Sequence, residues 1–144
     1  MNSILKSLLV FVLLAAAGFA ADDFSETKKK AEAGDAFAQV NLGYMYAKGT
    51  GVPQDYAEAV KWYRLAADQG LGRAQINLGN RYAQGEGVPK DLVQAHAWWN
   101  IAGANGYEDA KKNLANVEKE MTDSQKEKAM DLARELFAKL PPKK

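Results

Sequence analysis

The chain has 144 residues, of which 26% are charged, and a formal net charge of +1. That length suits one domain or a short array, and the interspersed signs exclude the basic stripe that nucleic acid requires. With no cysteine, disulfide staples are excluded and stability must come from an apolar core.

Residues 1–20 read as a signal peptide. Lys6 supplies the positive start, and Leu8 to Ala17 is an apolar run too short for an ordinary membrane span. Gly18-Phe19-Ala20 offers small residues for cleavage between Ala20 and Ala21, the alternative being an uncleaved anchor. Cleavage removes Lys6 and takes the formal charge from +1 to zero. The expected location is therefore periplasmic or secreted, in a bacterial envelope, with no stable span after cleavage.

A short helix is expected over 24–33, ending at Gly34. The blocks 35–70 and 71–106 then match at sixteen of 36 positions, including Leu42, Gly43, Tyr46, Trp62 and Ala66 against the residues 36 further on. A fixed period of this size indicates a solenoid. In the first block a helix over 36–48 carries Ala38, Leu42 and Met45 or Tyr46 on one face. Gly49-Thr50-Gly51-Val52-Pro53 ends it, since the glycines permit positive φ and Pro53 bars Val52 from the helical region. Asp55 is placed to cap a second helix over 56–69, with Ala59, Trp62, Tyr63 and Ala66 on its buried side. The second block repeats this with helices over 72–84 and 92–105, the loop Gly85-Glu86-Gly87-Val88-Pro89 and the cap Asp91. Gly34, Gly70 and Gly106 recur at the repeat period, each in place to close a helix in the left-handed conformation.

A third copy starts at Ala110, Asn113 and Leu114 but lacks the loop. Thr122 with Gln125 instead has the form of a capping box. It opens a helix whose apolar face runs from Ala129 to Leu140, where Pro141-Pro142 stops it. This segment is expected to cap the stack, as terminal repeats require; the alternative is that it docks a partner. The chain thus divides into a signal peptide (1–20), a repeat array (21–118) with partial copies at both ends, and a C-terminal capping helix with a short tail (119–144).

The repeated pattern Ala-x-x-x-Leu-Gly-x-x-Tyr, Gly-x-Gly-Val-Pro-x-Asp, Ala-x-x-Trp-x-x-x-Ala, closed by Gly, resembles the Sel1-like repeat, a relative of tetratricopeptide repeats. The resemblance covers about residues 24–118, and the Met-Thr-x-x-Gln segment is similar to the ending of short bacterial members. It implies an all-α fold, a short right-handed α-solenoid that serves as an adaptor. Some exported relatives rich in cysteine are linked to β-lactam binding or hydrolysis. This chain lacks those cysteines, so the activity is not carried over.

No reactive constellation is apparent. After Ala20 the chain has one histidine, His96, and two serines, Ser25 and Ser124, both outside the complete repeats. His96 replaces Val60 of the preceding copy and reads as a tolerated helix residue. No cofactor or metal is expected, and the glycine loops lack the Lys-Ser/Thr of a phosphate-binding loop. Trp62 and Trp98 read as core. Trp99, which replaces Tyr63, is expected to show some ring exposure, and a sugar-stacking role would rest on that.

A binding face follows from helical spacing. Positions i, i+4, i+7 and i+11 share one side. They give Phe37, Asn41, Tyr44 and Lys48, then Arg73, Asn77, Asn80 and Gln84, then Asp109, Asn113, Asn116 and Glu120. By the resemblance, these first helices line the concave groove, where asparagine would pair with a peptide backbone. The recurring Asn41, Asn77 and Asn113 serve equally well as links between helices. The expected function is an exported, non-catalytic adaptor or scaffold for a protein or peptide. The alternatives are an enzyme of cell-wall or β-lactam-like substrates and a structural subunit of an envelope complex.

Overall fold

A computed structural model describes residues 23–143; the expected signal peptide and its cleavage site lie outside them. Among the described residues there are seven helices and no strand. These are α1 (23–32), α2 (Ala36–Lys48), α3 (Tyr56–Asp68), α4 (Gly72–Gln84), α5 (Leu92–Ala104), α6 (Glu108–Val117) and α7 (Asp123–Lys139). None is long and apolar enough to cross a membrane.

Local chemistry fixes the helix ends. Asp35, Asp55 and Asp91 each accept a hydrogen bond from the backbone N–H three residues on, at 2.9 to 3.0 Å. Thr122 and Gln125 form a complete capping box at the start of α7. Gly49 and Gly85 take the left-handed conformation and close α2 and α4. The chain then turns back within each loop, where Asp55 N–H donates to Tyr46 O and Asp91 N–H to Tyr82 O.

Within each repeat the two helices are held close by a ring seated on a glycine. Tyr63 lies over Gly43, where a Cβ would sit 2.6 Å from Cε1 of the ring. Trp99 lies over Gly79, where a Cβ would sit 2.6 Å from the indole Nε1. Both rings are buried. An added methyl has no place to go, because each position is faced by a rigid, buried ring in close-packed surroundings, and at Gly43 by Ala59 O as well.

Between repeats the link is a buried glutamine. Gln39 Nε2 donates to Ala31 O at 3.2 Å, and Gln75 Nε2 donates to Ala67 O at 3.3 Å. Each reaches from a first helix back to the second helix of the preceding unit. This gives the repeated Ala-Gln pair a purpose beyond packing, since an unsatisfied buried carbonyl is costly.

α5 is the most enclosed element, with α4, α6 and α7 all packed against it. Trp98 is fully buried. Trp62, its counterpart, is half-buried, because it packs in a smaller cluster with Ala31 and Leu42 near the start of the stack. α7 lies along α5. Ala129 joins the cluster of Ala95 and Trp99, and Ala133 joins that of Ala97 and Ile101. The helix expected from the Thr122 capping box to Leu140 thus forms as Asp123–Lys139, and it covers the second helix of the last complete repeat.

The ring-on-glycine contact predicts the effect of adding one methyl. Gly79→Ala is expected to destabilise the fold by about 1–3 kcal/mol through overpacking against Trp99, measured as a lower urea midpoint at unchanged slope.

Candidate functional site: a groove across the first helices

Two adjoining hollows run across α2, α4 and α6. The first, about 390 Å³, is lined by Tyr44 and Lys48 of α2, by Asn77, Asn80, Arg81 and Gln84 of α4, and by Tyr56, Tyr63 and Glu86. The second, about 350 Å³, is lined by Arg73, Ile76, Asn77 and Asn80 of α4, by Asp109, Lys112 and Asn113 of α6, and by Tyr107. Asn77 and Asn80 border both. The helical spacing read from the sequence therefore brings together Tyr44, Lys48, Arg73, Asn77, Asn80, Gln84, Asp109 and Asn113.

Four expected residues stand apart. Phe37 and Asn41 are exposed on α2 but line neither hollow. Phe37, 69% exposed, lies toward the start of the stack. Asn116 is exposed and accepts from Lys119 at 3.4 Å. Glu120 is past the end of α6, which stops at Val117, so the fourth position of that face is not on the helix.

The asparagines divide by role. Asn113 Nδ2 donates to Asn80 Oδ1 at 3.2 Å, linking α6 to α4. Among the described residues, Asn41 and Asn77 make no side-chain hydrogen bond. Asn77, on the wall between the hollows, keeps its amide available to a ligand.

The floor of the groove differs between the repeats. In the second, Trp99 is buried, and its Nε1–H lies 3.2 Å from Asn80 Oδ1 and 3.3 Å from Ile76 O. The expected ring exposure of Trp99 is therefore corrected: Gly79 admits the ring and α4 satisfies its one donor. In the first repeat Tyr44 stands where Asn80 stands, and Tyr63 where Trp99 stands. Tyr63 is only 2% exposed, yet among the described residues its hydroxyl makes no hydrogen bond. It lines the first hollow. Burial pushes its phenol up to about 12, with Arg81 nearby acting the other way, so the hydroxyl stays protonated and able to donate.

Sequence reasoning missed Tyr56, Tyr63, Arg81, Glu86, Tyr107 and Lys112 as groove residues. Arg81 had a visible signal. It occupies the place of Met45, which the first repeat buries, and a charge there needs partners. The guanidinium pairs with Glu86, donates to Gln84 at 3.0 Å and lies over the Tyr56 ring. Its Nε is buried without a partner.

His96 lies away from this groove. It is buried on α5, with Nε2 2.9 Å from Glu118 Oε1. Its place is thus structural, tying α5 to the end of α6. Among the described residues no group of three or more His, Cys, Asp or Glu is placed to hold a metal ion.

The Sel1 repeat family model matches residues 36–71 and 72–107, half of the chain. The chain is a Sel1-repeat protein. The matched units begin one residue after the blocks 35–70 and 71–106, so that Asp35 and Leu71 fall just before them as helix caps. Sel1-repeat proteins are in general protein-interaction scaffolds and typically non-catalytic.

Solved structures agree. A protective antigen present in uropathogenic Escherichia coli strains, displaying an SLR fold, superposes with a TM-score of 0.80 at 37% identity. The match covers 83% of this chain and 26% of that one. A Sel1 repeat protein from Oxalobacter formigenes gives 0.66 at 37% identity, covering 67% and 28%. The secretory immunoglobulin A-binding protein EsiB of Escherichia coli is 39% identical over 57 residues, 40% of this chain and 12% of its own length. This Sel1-repeat chain thus spans between 12% and 28% of the length of these relatives. The fold is an all-α repeat solenoid of the same kind.

The two floors make opposite predictions. Tyr63→Phe is expected to leave unfolding stability within about 0.5 kcal/mol, since no bond is lost. Trp99→Phe removes two acceptor contacts and ring volume, and is expected to cost about 2–3 kcal/mol. Paired denaturant titrations check both.

Proposed function

We propose that this protein is an exported, non-catalytic adaptor that binds a protein or peptide in the groove across α2, α4 and α6. The observation that carries the reading is the pair of adjoining hollows, lined by side chains that differ between the repeats. Scaffold positions such as Leu42 and Leu78 are identical and buried. The groove instead sets Tyr44 against Asn80 and Lys48 against Gln84. Divergence on one shared face is what a surface fitted to a particular partner would need, because specificity is a difference in affinity between partners.

Export rests on the leader read in residues 1–20, and the working location is the periplasm or the outside of the cell. The binding named for the Escherichia coli relative, to secretory immunoglobulin A, supports a protein ligand as a class. The groove is short, so binding by this chain alone is expected to be weak or transient.

The test is a pull-down from the envelope fraction comparing the wild type with Tyr44→Ala plus Arg73→Ala. The double variant is expected to lose one or more partners while keeping its helical signal. Identical partner sets from both proteins would overturn the groove reading.

A further inference from the structure

The first hollow holds a donor with no protein partner. Tyr63 is 2% exposed and lines the hollow. Among the described residues its hydroxyl makes no hydrogen bond, and it is not one of the fully enclosed polar atoms left unpaired, so it stays open to the hollow. The equivalent indole in the next repeat is satisfied internally by Asn80 and Ile76. A donor left open at the floor of a hollow, where the other repeat has closed the same place, is free to meet an acceptor that arrives from outside.

The charges around it specify that acceptor further. In the first hollow Lys48 and Arg81 face the one anion Glu86, and in the second Arg73 and Lys112 face the one anion Asp109. Each hollow is therefore cationic by one charge, on a chain whose whole formal charge is only +1. Among the described residues Lys48, Arg73 and Lys112 form no ion pair. Elsewhere some basic side chains are paired, as in Lys61–Glu58, Lys111–Glu108 and Arg134–Asp131, and others are not. Within the groove the three unpaired cations line two adjoining hollows, where together they would attract and orient an anionic partner.

We propose that the groove takes an acidic stretch of extended peptide, with one side-chain carboxylate seated in the first hollow. There it accepts from the Tyr63 hydroxyl and the Asn77 amide and lies beside Lys48. A second carboxylate meets Arg73 and Lys112. This deepens the adaptor reading and rests on it. In the extended polyproline II form a chain rises about 3.1 Å per residue and repeats its face every third residue. Acidic residues three apart therefore present carboxylates on one side, roughly 9 Å apart, one for each of the adjoining hollows.

The probe is a blocked hexapeptide with glutamates at its second and fifth positions, against the same peptide with glutamines. Both are titrated into the full chain by calorimetry and by amide NMR. The glutamate peptide is expected to shift the Asn77 side-chain amide and to bind at least tenfold more tightly than its glutamine counterpart. A hydrogen bond to a charged group is worth about a factor of ten or more, so Tyr63→Phe, whose fold should be intact, is expected to weaken the glutamate peptide about tenfold. It should leave the glutamine peptide unaffected. Equal affinities for the two peptides, no binding of either, or no effect of Tyr63→Phe would each overturn the proposal. The envelope pull-down reports on the groove whatever sequence it prefers. Partner loss there beside failure here would remove the acidic subsite alone, and failure of both would remove the groove reading with it.

Discussion

The seat of an aromatic ring on a bare stretch of helix governs this structure. Gly43 and Gly79 have no side chain, so the Tyr63 and Trp99 rings come up close against the first helix of each pair. A Cβ at either glycine would meet the ring well inside contact distance. The spacing of the two helices follows from that contact. The spacing of the repeats follows from the buried Gln39 and Gln75, which fasten each first helix to the carbonyl of the helix before it. Together these set the distance between α2, α4 and α6, and so the width of the hollows between them.

The same contact carries the difference between the repeats. An indole over Gly79 places its one donor against Asn80 and the α4 backbone. A phenol over Gly43 lines the first hollow, and among the described residues its hydroxyl makes no hydrogen bond. The scaffold positions are shared, and a single change of ring type turns a closed floor into one with an unpaired donor. A binding surface can vary here without disturbing the stack, because the glycine accepts either ring.

Much of this was legible in the sequence. The 36-residue period gave the helices, with ends within one residue for α2 to α5, and the aspartate caps and Thr122–Gln125 box formed as expected. Helical spacing found both hollows through Tyr44, Lys48, Arg73, Asn77, Asn80, Gln84 and Asp109. It misplaced Phe37, Asn41 and Asn116 as lining, because periodicity assigns a side of a helix but not how far along it a neighbour extends. Glu120 failed for a simpler reason, that α6 ends first. Trp99 was misjudged because one chain position cannot reveal what covers it. Links between helices were sought in Asn41, Asn77 and Asn113, and Asn113 does bond to Asn80 across to α4. The links back to the second helix of the preceding unit lie in Gln39 and Gln75, whose longer side chains reach it.

The account stands on the claim that the first repeat's open floor, rather than the groove at large, selects the ligand. Exchanging the floor tests this directly. Tyr44→Asn with Tyr63→Trp installs in the first repeat the pair that closes the second. The account predicts unchanged helix content, a new indole N–H protected from solvent exchange, and loss of binding to an acidic peptide. An exchanged protein that folds, protects its new indole and still binds that peptide with wild-type affinity would contradict it.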